Sequence, residues 1–305
     1  MKALVATGSA AELVRFADVP EPAPAADEAV VEVAAFSVNR GEIFQLQAPR
    51  PGWRPGKDVA GRVVTPAADG SGPAAGEHVV GHPPESGWAQ RVAVPTRSLA
   101  PLPSGVGVAQ AAALPLAGLT ALRLLRAAGD VQGKRLLMTG ASGGVGHYFV
   151  ELATAAGGKV TSISANPRRG RRLAELGATV AHDLDGVSGP FELAFESVGG
   201  PNLQRVLSLL EPGGTLVWFG QASRVPATVD FFSFFAGPVS ACIRHFYYAD
   251  SAVPDRDDLA MLVDRVATGR LHPEIGRLAS WTATAAVLND LYERRVCGNA
   301  VLLLG

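Results

Sequence analysis

A glycine-rich turn follows a short apolar segment near the middle of the chain. Residues 135–146 read RLLMTGASGGVG, with three glycines spaced three apart and a fourth between the last two. Small residues at such a turn let a pyrophosphate approach the backbone, and the N-terminus of the following helix offers it free N–H groups. Ala141 takes the place of the first glycine of the strict G-x-G-x-x-G pattern, so a purely structural turn is the alternative. The context favours a bound dinucleotide, with its pyrophosphate at Gly143, Gly144 and Val145.

The segment after the next strand-like run is basic. Residues 159–174 contain no Asp or Glu, whereas an NAD site usually places an acidic residue there for the ribose hydroxyls. Ser164 and Asn166 can donate hydrogen bonds to a 2′-phosphate, and Arg168 and Arg169 can neutralise its charge. Cations at a helix N-terminus oppose the helix dipole, so a nearby anion explains them better than a solvated helix start does. The sequence therefore predicts NADPH rather than NADH.

The elements around the glycine turn alternate between strand and helix. Strand-like runs such as RLLM, KVTSIS and TLVWFG are separated by helical patterns, which predicts a parallel sheet with helices on both faces. Before residue 110, short β-like runs between Pro and Gly predict an irregular antiparallel β domain. We expect the tail to rejoin that domain. The predicted division is 1–115 with 268–305 as the first domain and 116–267 as the nucleotide-binding domain.

Length and composition restrict the class of protein. A chain of 305 residues predicts two domains, and 27 basic against 28 acidic residues argue against nucleic acid or anionic membranes as main partners. The two isolated cysteines, Cys242 and Cys297, predict neither a disulfide framework nor a Cys-rich zinc site, and they fit a reducing compartment. No signal-like start and no long uncharged apolar window are visible. We therefore expect a cytoplasmic protein without a membrane span.

Seven motifs in chain order resemble one known superfamily. They are AAFSVNRGEIF (34–44), PGKDVAGRVV (55–64), AAALPLAGLTAL (111–122), GASGGVG (140–146), ELGA (175–178), FESVGG (195–200) and LEPGGTLVWFG (210–220). Together they resemble the medium-chain dehydrogenase/reductase superfamily, in its zinc-independent quinone oxidoreductase (zeta-crystallin-like) branch. The resemblance covers nearly the whole chain. It implies an α/β protein in which a GroES-like irregular β domain carries an inserted Rossmann doubly wound domain, with the active-site cleft between them. It also implies a homodimer formed through the sheet edge near residues 240–248.

The resemblance further implies which residues surround the nicotinamide. Asn39 would lie beside the nicotinamide ribose and the substrate, and Thr120 near the carboxamide. Val198, Gly220 and Gln221 would line the nicotinamide pocket. Two of these residues also have structural alternatives: Thr120 could be an ordinary helix residue, and Asn39 lies in a VNRG turn where Asn is often found without a ligand.

Zinc is not expected, because two of its usual ligands are replaced. Zinc alcohol dehydrogenases of the superfamily have a Cys near SVN and a His in a GHE motif, where this chain has Asn39 and Lys57. Without a metal, hydride transfer to a hydrophobic quinone or α,β-unsaturated carbonyl suits the site better than alcohol oxidation. Phe44 stands where some enoyl reductases have a tyrosine proposed as proton donor, which slightly favours quinones. An enoyl reductase that tailors a natural product and a non-catalytic NADPH-binding protein are the alternatives.

Overall fold

The computed structural model describes residues 1–9 and 12–305 and divides them into two compact units. One unit comprises Met1–Leu119 with Ala252–Gly305, and the other comprises Thr120–Ser251. The predicted second domain extends further, to residue 267. The helix at Asp255–Ala267 accounts for this difference, because it packs on the strand at Leu99–Pro101 in the first unit.

The described residues form strands and helices in the following order. The strands are β1 (Lys2–Ala6), β2 (Val14–Asp18), β3 (Glu28–Val38), β4 (Val59–Thr65), β5 (His78–Gly81), β6 (Arg91–Pro95), β7 (Leu99–Pro101), β8 (Arg135–Met138), β9 (Lys159–Ile163), β10 (Thr179–Ala181), β11 (Phe191–Glu196), β12 (Leu210–Trp218), β13 (Cys242–His245), β14 (Ile275–Ser280) and β15 (Asn299–Leu303). The helices are α1 (Arg40–Gln47), α2 (Val108–Ala112), α3 (Pro115–Ala128), α4 (Gly144–Ala155), α5 (Pro167–Glu175), α6 (Pro201–Leu207), α7 (Asp255–Ala267) and α8 (Thr284–Tyr292). No helix of the described residues is long and apolar enough to cross a bilayer.

The first unit is built around β3. The strand order of its main sheet is β14-β15-β3-β4-β5-β7, and β6 also pairs with β3. All pairs except β14–β15 are antiparallel, and two register shifts between β3 and β4 mark bulges that let this long strand bend. Phe36 and Trp88 stack in its core with ring centroids 5.5 Å apart, and α1 buries Ile43 and Leu46 in the same core. Strand β15 pairs with β3, so the C-terminal tail returns to this sheet.

The second unit is a six-stranded sheet in the order β10-β9-β8-β11-β12-β13, and every neighbouring pair is parallel. The chain runs outward from β8 to β10, returns to lie beside β8 as β11, and runs outward again to β13. The order therefore reverses between β8 and β11, and such a switch point is where doubly wound sheets bind ligands at the carboxyl ends of their strands. The predicted fold class, a doubly wound parallel sheet with a separate irregular β domain, is confirmed.

Candidate functional site

The predicted glycine turn connects β8 to α4. Gly140 has a φ of 62°, and a Cβ placed there would lie 2.5 Å from Ser197 Oγ. A Cβ on Gly146 would lie 2.2 Å from Ala141 O, so the close contact between helix and turn requires glycine at this position. A Cβ on Gly143 would meet nothing closer than a carbonyl oxygen at 3.5 Å. The protein's own packing thus leaves open space at Gly143, where a ligand can approach the backbone.

The N-terminus of α4 supplies hydrogen-bond donors at this turn. The first backbone bond into the helix runs from His147 N–H to Gly143 O, at 3.1 Å. The N–H groups of Gly144, Val145 and Gly146 precede that bond and have no acceptor within the helix. Residues 142–145 are half-buried, whereas the helix behind them is buried. These three N–H groups and the positive end of the helix dipole can bind an anion.

A buried carboxylate ties the two loops at the switch point together. Glu196 ends β11 and is fully buried; its Oε1 accepts from Thr139 Oγ1 at 3.0 Å, and its Oε2 accepts from Gly199 N–H at 2.8 Å. Both carboxylate oxygens lie 3.0 Å from the N atom of Val198. Thr139 Oγ1 in turn accepts from Ser197 N–H at 3.1 Å. Burial raises the pKa of the Glu196 carboxyl, and these hydrogen bonds act in the opposite direction. Sequence reasoning missed this group, although Glu196 stands out as an acidic residue that directly follows an apolar strand.

Three predicted nicotinamide-pocket residues lie together in the loops that follow the carboxyl ends of β11 and β12. The loop after β12 folds back on the loop after β11, because Ser223 N–H donates to Val198 O at 2.8 Å. A Cβ on Gly199 would lie 2.6 Å from Gln221 Cγ. Val198, Gly220 and Gln221 are all half-buried, so each keeps some surface that a ligand can contact.

The predicted 2′-phosphate residues lie between the end of β9 and the first turn of α5. Asn166 caps this helix, because its Oδ1 accepts from Arg168 N–H at 2.9 Å, which leaves the side-chain Nδ2 as the donor. Arg168 is exposed and Arg169 half-buried, and among the described residues neither guanidinium has an acidic partner. Ser164 is buried and donates to Asn166 O at 3.3 Å, so its hydroxyl is already engaged.

The structure places the two predicted catalytic residues on different units. Thr120 is buried in α3, at the start of the second unit. Asn39 is half-buried in the first unit, where it is the N-cap of α1. Its backbone N–H donates to Glu42 Oε2 at 2.9 Å, and its side-chain Nδ2 donates to Asp58 Oδ2 at 2.6 Å. The VNRG segment is therefore the start of a helix in which both nitrogen atoms of Asn39 donate to carboxyl groups.

Asp58 is the centre of a polar cluster that sequence reasoning did not assign. It is fully buried and accepts from Ser37 Oγ at 2.5 Å, from Leu116 N–H at 2.9 Å and from the Asn39 amide. His82 Nδ1 lies 3.3 Å from its Oδ1. The donors come from segments far apart in the sequence, so no local motif reveals the cluster.

Glu42 is the second buried carboxyl group beside Asn39. Its Oε1 accepts from Gly56 N–H at 3.0 Å, so it links α1 to the loop before β4. Burial, followed by the negative charge of Asp58, raises the pKa of Glu42 to about 8, against the opposing effects of its two backbone hydrogen bonds and of Lys57. At neutral pH this carboxyl group therefore holds a proton.

Among residues 1–9 and 12–305, no three His, Cys, Asp or Glu side chains are grouped so that they could hold a metal ion. The two carboxylates nearest to Asn39 are engaged instead by protein N–H and O–H donors.

Comparison with known proteins identifies relatives of both units. A family model described as zinc-binding dehydrogenase matches residues 144–266. The chain is 37% identical over 171 residues to a chloroplast envelope quinone oxidoreductase homolog of Arabidopsis thaliana. This alignment covers 51% of the present chain and 52% of the relative. The chain is also 30% identical over 214 residues to 2-methylene-furan-3-one reductase of Solanum lycopersicum. That alignment covers 63% of the present chain and 54% of the relative. The chain thus spans about half the length of these two relatives.

A solved structure matches over the full length. The quinone oxidoreductase of Thermus thermophilus, also solved in complex with NADPH, has a TM-score of 0.83 and 27% identity, with 100% of both chains covered. The family model, the curated relatives and the solved structure all support the medium-chain dehydrogenase/reductase superfamily, in its quinone oxidoreductase branch. The resemblance predicted from the motifs is confirmed.

Proposed function

We propose that the protein is an NADPH-dependent oxidoreductase that transfers hydride to a quinone or an α,β-unsaturated carbonyl compound without zinc. The observation that carries the proposal is the anion site at the switch point: free helix N–H groups beside an open glycine, with an acid-free basic turn at the end of the next strand. The relatives named above as quinone oxidoreductases and as a furanone reductase support the same reaction class.

The residues present fit NADPH. Gly143, Gly144 and Val145 would hold the pyrophosphate at the N-terminus of α4. The Asn166 amide, with Arg168 and Arg169, would hold the 2′-phosphate, because these donors have no anion of the protein to satisfy them among the described residues. The bound cofactor would supply the hydride, and the protein would contribute orientation of the reactants and exclusion of water.

The donor set near Asn39 does not suit zinc. Of the two superfamily ligand positions that the sequence identifies, one is the amide Asn39 and the other is Lys57, which binds zinc poorly. The carboxylate of Asp58 accepts hydrogen bonds on both oxygens from protein donors, so a metal would have to displace them. We therefore propose that the substrate carbonyl is activated without a metal, which suits quinones and enones better than alcohols.

Two alternatives concern the substrate and the reaction. Phe44, partly exposed on α1, cannot donate a proton, which favours quinones, since water can protonate their reduced products. The likeness to 2-methylene-furan-3-one reductase favours an enone instead. An enoyl reductase of natural-product synthesis and a non-catalytic NADPH-binding protein are the remaining candidates.

Further proposals concern assembly and location. Strand β13 is an edge strand of the parallel sheet whose four residues are all exposed, and Phe231, Phe232 and Phe235 are also exposed in the same unit. An uncovered strand edge invites pairing with a second strand, so we propose a homodimer formed through β13. Cys242 and Cys297 form no disulfide within the described residues, which fits the reducing cytoplasm expected from the sequence.

A titration of nicotinamide fluorescence with NADPH and, separately, NADH tests the cofactor. We expect wild-type protein to bind NADPH at least about tenfold more tightly than NADH, because the 2′-phosphate adds charge-assisted hydrogen bonds. Arg169→Glu should abolish this preference. Arg171→Glu, the same charge reversal at an exposed position of the same helix, is the matched control and should retain most of the preference for NADPH over NADH.

Turnover with panels of quinones and enones then separates the candidate reactions. NADPH oxidation by quinones supports the main proposal, and oxidation by enones alone supports the alternative. Tight NADPH binding without turnover of either panel would identify a binding protein. Failure to bind either nucleotide would contradict the assignment of the glycine turn.

A further inference from the structure

We propose that Asp58 fixes the orientation of the Asn39 amide, so that Asn39 presents Oδ1 to a ligand as a hydrogen-bond acceptor. Asp58 is thus a positioning residue, and the ligand group that Asn39 recognises is a hydrogen-bond donor, an O–H or N–H group. This inference rests on the proposed function in one respect, the presence of a ligand at Asn39. The contact between Asp58 and Asn39 is independent of it.

The donors around Asp58 determine its role. A backbone N–H and an amide NH₂ group can only donate hydrogen bonds, so Leu116 N–H and Asn39 Nδ2 both require an acceptor. They occupy different oxygens of Asp58, Oδ1 and Oδ2, and the Ser37 hydroxyl shares Oδ2. The two oxygens of Asp58 thus accept from all three of these donors.

The orientation of the Asn39 amide follows from this arrangement. Its Nδ2 lies 2.6 Å from Asp58 Oδ2 and 3.5 Å from Glu42 Oε2. A reversed amide would place a carbonyl oxygen against the Asp58 carboxylate and would lose a charge-assisted hydrogen bond in a buried site. The N–H group of Glu42, which is placed to cap the helix on the Asn39 side chain, donates to the Asn39 backbone oxygen at 3.1 Å instead. The amide oxygen is therefore the atom left for a ligand.

An acceptor at this position restricts the chemistry of Asn39. Oδ1 can accept from a hydroxyl of the nicotinamide-side ribose, from the N–H of the nicotinamide carboxamide or from a hydroxyl on the substrate. It cannot donate to the carbonyl oxygen that gains negative charge as hydride arrives, a task that needs N–H or O–H donors. Asn39 would then position a ligand and leave protonation of the product to another group or to water.

Exchanging the two side chains tests both parts of the proposal. Asn39→Asp sets one carboxylate against another, and Asp58→Asn leaves a buried donor facing an NH₂ group. In the double variant the carboxamide at position 58 can donate from its nitrogen to the new carboxylate and to Ser37 Oγ. Its oxygen still accepts from Leu116 N–H. The second oxygen of the carboxylate at position 39 still faces the ligand as an acceptor.

The measurements are the midpoint of thermal unfolding, the Kd for NADPH and the KM for a quinone that carries a hydroxyl substituent. We expect each single variant to lose about 5 °C in the midpoint and about tenfold in either the Kd or the KM, and the double variant to recover most of both losses. A change in the Kd for NADPH assigns the donor to the cofactor, and a change confined to the KM assigns it to the substrate hydroxyl. Asp258→Asn, at an equally buried aspartate in α7 of the same unit, is the matched control and should leave both ligand parameters unchanged.

Each of the remaining outcomes contradicts one part of the proposal. If the double variant recovers stability but not the ligand parameter, Asn39 must donate to the ligand, and the acceptor assignment is wrong. If stability does not recover, the pairing itself is wrong. If every variant matches wild type in both ligand parameters, no ligand contacts Asn39. Failure of wild-type protein to bind NADPH would refute the proposed function, whereas the unfolding data would still decide the pairing.

Discussion

Two asparagines of this protein, each the N-cap of a helix, are held by opposite ends of their amides. Asn166 uses its oxygen to cap α5, so its nitrogen is the end left for a ligand. Asn39 uses its nitrogen to donate to Asp58, so its oxygen is the end left for a ligand. The same residue type thus offers a donor in the second unit and an acceptor in the first.

The difference comes from the neighbours of each amide. Asn166 is exposed, and its amide oxygen accepts from a backbone N–H at the start of a helix with a basic first turn. Asn39 lies beside two buried carboxyl groups, which accept from its side-chain and backbone nitrogens. A donor beside cations suits a phosphate, and an acceptor beside acids suits an O–H or N–H group. The role of an asparagine in a binding site is therefore decided by which end of its amide the protein has already used.

The glycine turn adds a third kind of donor to the comparison, the backbone N–H groups at the start of α4. Substitutions at this turn should give the largest loss of NADPH affinity. Gly146→Ala places a Cβ 2.2 Å from Ala141 O, and because the clash is with backbone, α4 must move away from the turn. Overpacking costs about 1–3 kcal/mol or more, so we expect NADPH affinity to fall by about a hundredfold, with a lower unfolding midpoint. Calorimetry and the fluorescence titration measure the two effects.

Gly143→Ala is the matched control for that change. The added Cβ would meet only a carbonyl oxygen at 3.5 Å, an ordinary contact, so the unfolding midpoint should stay close to that of wild type. NADPH affinity should still fall, because the methyl group occupies the space above the turn. Unchanged affinity would mean that no pyrophosphate lies over Gly143.

The sequence was sufficient for the features that depend on local patterns. The glycine spacing, the alternation of strands and helices and the acid-free start of α5 are all continuous in the chain, and the predicted parallel sheet followed from them. The Asp58 cluster could not be predicted, because its donors at Ser37, Asn39 and Leu116 meet only in the folded domain. The burial of Glu42 and Glu196 was likewise hidden, since charged residues are rarely buried and no local signal marks the exceptions.

Asn166→Asp tests the donor half of the comparison, with an intermediate effect. Aspartate is as good an N-cap as asparagine, so α5 and the unfolding midpoint should be preserved. The change replaces the available amide donor by a carboxylate oxygen that repels the 2′-phosphate. We expect NADPH affinity to fall by about tenfold to a hundredfold while NADH affinity changes little, as measured by the two fluorescence titrations. Equal losses for both nucleotides would place the 2′-phosphate elsewhere.

Glu42→Gln tests the acidic surroundings of Asn39, and its effect on stability should be smallest at acidic pH and should grow as the pH rises towards 8. Glutamine resembles the protonated carboxyl group that the wild-type protein holds there. Because the pKa of Glu42 is raised from 4.5 to about 8, the folded state keeps a proton that the unfolded chain has already lost in that window. Its contribution to stability is complete below pH 4.5 and is lost as the pH rises towards 8. The variant lacks this titration, so its unfolding midpoint should decline less steeply over the same range.

The test is a series of thermal unfolding curves for the two proteins across the window from about pH 5 to 8. The midpoints should be similar at the acidic end and should separate by about 10 °C in favour of the variant at the alkaline end. Glu32→Gln, at a partly exposed glutamate of β3 in the same unit, controls for the loss of one carboxyl group. Midpoints that run parallel for wild type and Glu42→Gln would show that Glu42 is ionised throughout. Two negative charges would then surround the Asn39 nitrogen, and its amide orientation would be fixed more firmly than the raised pKa implies.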